Sequence, residues 1–264
     1  MEGDLGFTGL PGKVYVPAEG KAVPGIAFGH DWMKSVGDYH KTLRHLASWG
    51  IAVTAPDTER GLRPNHAGFA ADLVSALQIL AGVKMGNGNV TISPNKLGIA
   101  GHGMGAGCAV LAAEDNPQVK AVAAIYPADV APSSIKAARG LFKPGMVIGP
   151  DDDSDGILGS GNPAKLAYNW SGPVVYRTVK NGNQQAFSED SLAKLLLGTG
   201  RTKTSVQETV RALITGYFLH QLGGEKVCSG YSEEDASGKG VESVFGHDLA
   251  EQAGLADGGA ISLF

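Results

Sequence analysis

The sequence predicts an α/β architecture, a mostly parallel central sheet with helices on both faces, and three observations carry that prediction. Short apolar runs alternate with amphipathic stretches along most of the chain, the pattern of strands joined by crossover helices. The length of 264 residues suits a single α/β unit, which often runs to ~250 residues around one core. A buried strand at Lys96–Ala100 runs into a glycine-rich turn and then a helix of small residues, a strand–turn–helix junction typical of such sheets.

Taken in order, the expected strands are Lys13–Pro17, Pro24–Phe28, Ile51–Ala55, Lys96–Ala100, Val119–Ile125, Gly145–Ile148 and Val174–Thr178. Each is a short β-branched or apolar run bounded by Gly, Pro or Asn. Between them, Asp38–Trp49 carries apolar residues at helical spacing and stops at Gly50. Ala67–Ala81 runs through Phe69, Leu73, Leu77 and Leu80 on one face and ends at Gly82. Gly105–Glu114, Ser191–Leu197 and Ser205–Leu222 read as further helices, and Asp248–Ala253 as a weak one. Residues 1–222 form the expected folded domain. From 223 to 264 the composition turns to Gly, Ser, Glu and Asp with few apolar residues, an extension that either packs on the body or is partly disordered.

Composition narrows the function classes. Glycine makes up 39 of 264 residues, about twice the usual ~7%, yet 43% hydrophobic content is enough to fill a core. With 18% charged residues, a net charge of −4 and no basic cluster, nothing favours a nucleic-acid partner. Cys108 and Cys228 cannot build a disulfide framework or a cysteine metal site, and Asp151–Asp155 lacks a calcium-loop pattern, so neither metal nor cofactor is expected. Met1-Glu2-Gly3-Asp4 lacks a basic, apolar leader and no apolar run approaches ~18 residues. The expectation is a soluble cytoplasmic protein with no membrane span.

The most informative run is Lys96-Leu97-Gly98-Ile99-Ala100-Gly101-His102-Gly103-Met104-Gly105-Ala106-Gly107. It has the scaffold of a nucleophile elbow, G-x-S-x-G, in which a sharp turn lifts a serine above the sheet. Four places, Ile26–Trp32, Leu46–Asp57, the elbow Gly101–Gly105 and the loop after Val147-Ile148-Gly149, resemble the dienelactone hydrolase group of α/β-hydrolases together with related carboxylester and polyester hydrolases. The resemblance covers roughly residues 10–222 and implies an α/β-hydrolase fold with a Ser…Asp…His triad.

Carried over residue by residue, that triad is degenerate. The nucleophile position falls on Gly103, the acid on Asp153 within Asp151-Asp152-Asp153, and the histidine on Gln185. Glycine offers no Oγ, and a carboxamide cannot take and return a proton near neutral pH. His102, Cys108, His220 and His247 are expected to be packing or surface residues rather than substitutes. The remaining pocket would be lined by His30, Asp31, Trp32, His102, Met104, Gly105 and Gln184, with the Met104 and Gly105 N–H groups forming the former oxyanion site.

The leading expectation is a pseudo-hydrolase that binds a small molecule with a carbonyl or carboxylate group, or a protein partner. One alternative is a working carboxylic ester hydrolase with unusual machinery, such as water activated by Asp153 or His30. Another is a scaffold acting through the C-terminal extension.

Overall fold

The computed structural model describes residues 1–84, 88–151, 163–189 and 202–255. Among them nine strands form one sheet in the order β1-β2-β4-β3-β5-β6-β7-β8-β9. The strands are β1 Glu2–Asp4, β2 Gly12–Tyr15, β3 Gly20–Gly29, β4 Ala52–Pro56, β5 Val90–His102, β6 Val119–Ile125, β7 Gly145–Pro150, β8 Val174–Val179 and β9 Val241–Ser243. β4, β3, β5, β6, β7 and β8 run parallel, and the outer strands β1, β2 and β9 are antiparallel to their neighbours.

Successive residues of a strand face opposite sides of a sheet, and the two core layers follow that alternation. Ala27 and Ile99 pack on one face beneath α2 (His66–Gly82) and α3 (Met104–Glu114), with Phe69, Leu73, Leu77 and Leu80 of α2 fully buried. Ile26, Phe28 and Ala100 face the other side. There they meet Leu43 and Leu46 of α1 (His40–Ser48) and Val210, Ile214 and Phe218 of the long helix Thr204–Phe218. Short helices complete the order: α4 Ser134–Ala137, α5 Pro163–Tyr168 and α6 Gln184–Phe187, so Thr204–Phe218 is α7 and Gly246–Gln252 is α8.

All seven expected strands are present. The helix expected from Asp38 begins as a 3₁₀ turn at Val36–Tyr39 before α1, because Ser35 and Asp38 form a reciprocal capping box. The expected helix over Ser205–Leu222 becomes a π-turn at Leu219–Gly223 in its last residues. Ser191–Leu197 lies outside the described residues.

The chain beyond 222 contributes to the sheet as well. β9 pairs with β8, and the buried Arg177 of β8 donates from its guanidinium to the carbonyl oxygens of Glu233 and, at 2.9 Å, Glu234. Desolvation lowers the guanidinium pKa, an effect opposed by the charges of Asp235 and Glu234. No helix among the described residues is long and apolar enough to cross a membrane.

Candidate functional site

The carboxyl ends of the parallel strands converge on one edge of the sheet, the place where open α/β sheets bind ligands. There β5 ends at His102, Gly103 makes the turn, and α3 starts at Met104. Gly103 has φ +54° and ψ −118°, a left-handed geometry that few side chains tolerate. Its N–H donates to the Ile125 carbonyl at 3.0 Å, and its carbonyl accepts from Ala106, Gly107 and Ala128. Close approach of α3 to the sheet depends on glycine too, since a Cβ on Gly101 would lie 2.3 Å from the Gly105 backbone. The elbow is therefore intact in backbone while lacking its nucleophile.

The space beside Gly103 is filled from within the chain. A Cβ on Gly103 would stand 1.9 Å from Oδ1 of Asp31, so the carboxylate occupies the volume in which a residue-103 side chain would begin. Asp31 follows β3 and is 5% exposed. Its Oδ1 accepts from the Met104 N–H at 2.9 Å and from the Trp32 N–H at 2.8 Å. Its Oδ2 accepts from the Gln184 side-chain amide at 2.7 Å. Three donors satisfy this buried charge, which unpaired would cost several kcal/mol.

Beneath it lies an aromatic floor. The Tyr39 hydroxyl accepts from the Asp31 N–H at 3.1 Å and lies 2.8 Å from Nδ1 of His102. Burial first, and the Asp31 charge second, push the Tyr39 hydroxyl far above the ordinary phenol range, so it stays protonated. His102 Nδ1 is 4.0 Å from Asp31 Oδ2, and its ring meets Phe187 edge-on at 5.1 Å. His102 is fully buried.

The other expected site residues separate into two groups. His30 is buried, with Nδ1 2.9 Å from the Asp31 carbonyl oxygen, Nε2 2.8 Å from that of Thr58, and its ring against Phe69. Each ring nitrogen thus faces a backbone carbonyl oxygen. Trp32 donates from Nε1 to the Leu62 carbonyl at 3.3 Å, and Met33 and Leu62 beside it are 49% and 71% exposed. Gln185 lies on α6, whose start is capped by Asn183 accepting from Ala186, and the side-chain amide of its neighbour Gln184 reaches Asp31. Asp153 lies outside the described residues. Asp151, at the end of β7, accepts from the Asn181 N–H at 2.9 Å and pins the turn leading to α6.

Other nucleophile and metal candidates do not converge here. Cys108 is fully buried in α3, and burial pushes its thiol up to about 12, which leaves it inert at neutral pH. Among the described residues, the His/Cys/Asp/Glu group with ligand-like spacing is His247, Asp248 and Glu251 on α8, and all three are exposed.

The role of Asp31 was not anticipated beyond a place in the pocket lining. The available signal was an acid in the loop that normally supplies an oxyanion donor, in a chain whose nucleophile position is glycine. Gly103 offers no side chain that could attack an acyl carbon, and the Met104 N–H is engaged by the Asp31 carboxylate.

Comparison with curated proteins gives no match. A family model described as PET hydrolase-like matches residues 3–169, a span that includes β1 through α5, the Asp31 loop and the elbow. That span exceeds half of the chain, and the chain belongs to the PET hydrolase-like family.

Proposed function

We propose that this protein is a member of its family whose former active site no longer hydrolyses, a site that recognises neutral apolar molecules at its mouth without turning them over. The observation that carries this reading is the Asp31 carboxylate lodged against Gly103 and bonded to the Met104 N–H. With Gly103 and Gln185 at the nucleophile and base positions, the route through an acyl-enzyme is closed.

The same carboxylate sets selectivity. A ligand carboxylate would meet a like charge and find the N–H groups of Met104 and Trp32 already engaged, so the carboxylate class of ligand is disfavoured. A neutral aromatic or aliphatic ester, or an apolar protein segment, suits the exposed apolar surface that Met33 and Leu62 present around Trp32. Isothermal titration with a soluble terephthalate diester and with the terephthalate dianion tests this. The diester is expected to bind, to bind about tenfold more weakly to W32A, and to be recovered unhydrolysed. Binding of the dianion with equal or greater affinity would overturn the reading.

A further inference from the structure

A second cavity lies at the opposite end of the sheet from Gly103. It has a volume of about 290 Å³ and opens where β7 and β8 begin, between Pro144, Gly145, Pro173 and Val174 on one side and Tyr217, Gln221, Ser232 and Glu234 on the other. The π-turn that ends α7 brings His220 and Gln221 against Ser232, and such departures from regular helix often mark functional places. Nδ1 of His220 lies 2.8 Å from the Ser232 Oγ, and the Gln221 side-chain amide donates to that Oγ at 3.0 Å.

Ser232 Oγ accepts from the Gln221 amide, and in the His220 tautomer that carries its proton on Nε2 the Ser232 hydroxyl donates to Nδ1. Ser232, though not His220, lines the recess, and a serine hydroxyl that faces such a space while donating to an imidazole is the arrangement that activates a nucleophile. The amide donor on Oγ favours alkoxide character. The volume falls just below that of ordinary ligand pockets, about 300–1,000 Å³, which restricts it to small molecules, and Glu234 on its wall repels anions.

We propose that Ser232 and His220 form an acyl-accepting dyad for small, uncharged, activated acyl esters, independent of the Gly103 site. Ser232 Oγ bonds to the acyl carbon as its proton passes to His220 Nδ1. The tetrahedral adduct collapses, the bond to the ester oxygen breaks, and the alcohol leaves with the proton from His220. Water then adds to the acyl-serine, gives its proton to His220, and releases the carboxylic acid as the proton returns to Ser232. None of the ion pairs among the described residues includes His220, and without a carboxylate to orient the base among them the acyl-serine turns over slowly.

The test is peptide mapping of the full-length protein after exposure to p-nitrophenyl acetate and, separately, to a fluorophosphonate. A single adduct on Ser232 is expected with each reagent. S232A should abolish it. H220Q keeps a hydrogen-bonding side chain beside Ser232 but removes the proton acceptor, and should slow adduct formation by about 10²-fold. No adduct on Ser232 in the wild type would overturn the proposal, and so would labelling of H220Q at the wild-type rate, which is what a purely structural clamp predicts. Circular dichroism of both variants establishes that they are folded, and the wild-type result stands without them.

Discussion

Oδ1 of Asp31 lies 1.9 Å from where a Cβ on Gly103 would be, so the two positions share one volume that only a glycine at 103 leaves free. Restoring the serine alone should therefore not restore a hydrolase. G103S places a side chain at φ +54° and against a bonded carboxylate, and is expected to destabilise the fold by about 1–3 kcal/mol without gain of esterase activity. In G103S/D31A the clash is gone, and the double variant should be more stable than the sum of the single changes implies. Urea denaturation of the four proteins gives the coupling energy; values near zero would mean that the two positions do not compete.

Asp31 itself is expected to be replaceable by a small carboxylate. In D31A the Met104 and Trp32 N–H groups lose their acceptor, at about 1–3 kcal/mol for each buried donor left unpaired. Acetate or formate fits the vacated volume and should raise the melting temperature of D31A in a concentration-dependent way while leaving the wild type unchanged. Equal stabilisation of both proteins would show that the anion acts elsewhere.

Arg177 anchors the segment after α7. R177M removes the donors to the Glu233 and Glu234 carbonyl oxygens from beneath β9. A loss of about 1–3 kcal/mol is expected, together with faster proteolytic cleavage between residues 224 and 240 and no change in ligand binding at Trp32. Unchanged cleavage would mean that β9 pairing alone holds the segment.

Alkaline pH should destabilise the protein in a specific window. Burial raises the Cys108 thiol to about 12, and burial, with the Glu2 charge next, raises the Tyr15 hydroxyl to about 12. Both groups keep their protons in the folded state at pH values where the unfolded chain has lost them. The stability they contribute is complete below the unfolded values of about 9 and 10 and falls as pH rises towards 12. Urea midpoints measured from pH 8 to 12 should decline, and C108A should decline less steeply. Parallel slopes for the two proteins would rule Cys108 out as a contributor.

The strands were legible because each of the seven carries its own short apolar run between breakers. β1 and β9 were not, since Glu2-Gly3-Asp4 and Val241-Glu242-Ser243 are three-residue, largely polar segments held by pairing to β2 and β8 rather than by any pattern of their own. At the site, glycine at 103 and the nearness of Gln184 could be read from spacing along the chain. The bond from Gln184 to Asp31 could not, because it joins residues 153 positions apart and arises only when β3 and α6 meet at the sheet edge.

The most direct test of the central claim is hydrolysis of a soluble terephthalate diester, measured by product release in the S232A background so that the second site is silent. The account predicts no release above the uncatalysed rate, with or without the D31A change. Turnover at ordinary esterase rates that D31A abolishes would contradict it, because Asp31 would then be a working group of an active enzyme rather than the residue that closes the site.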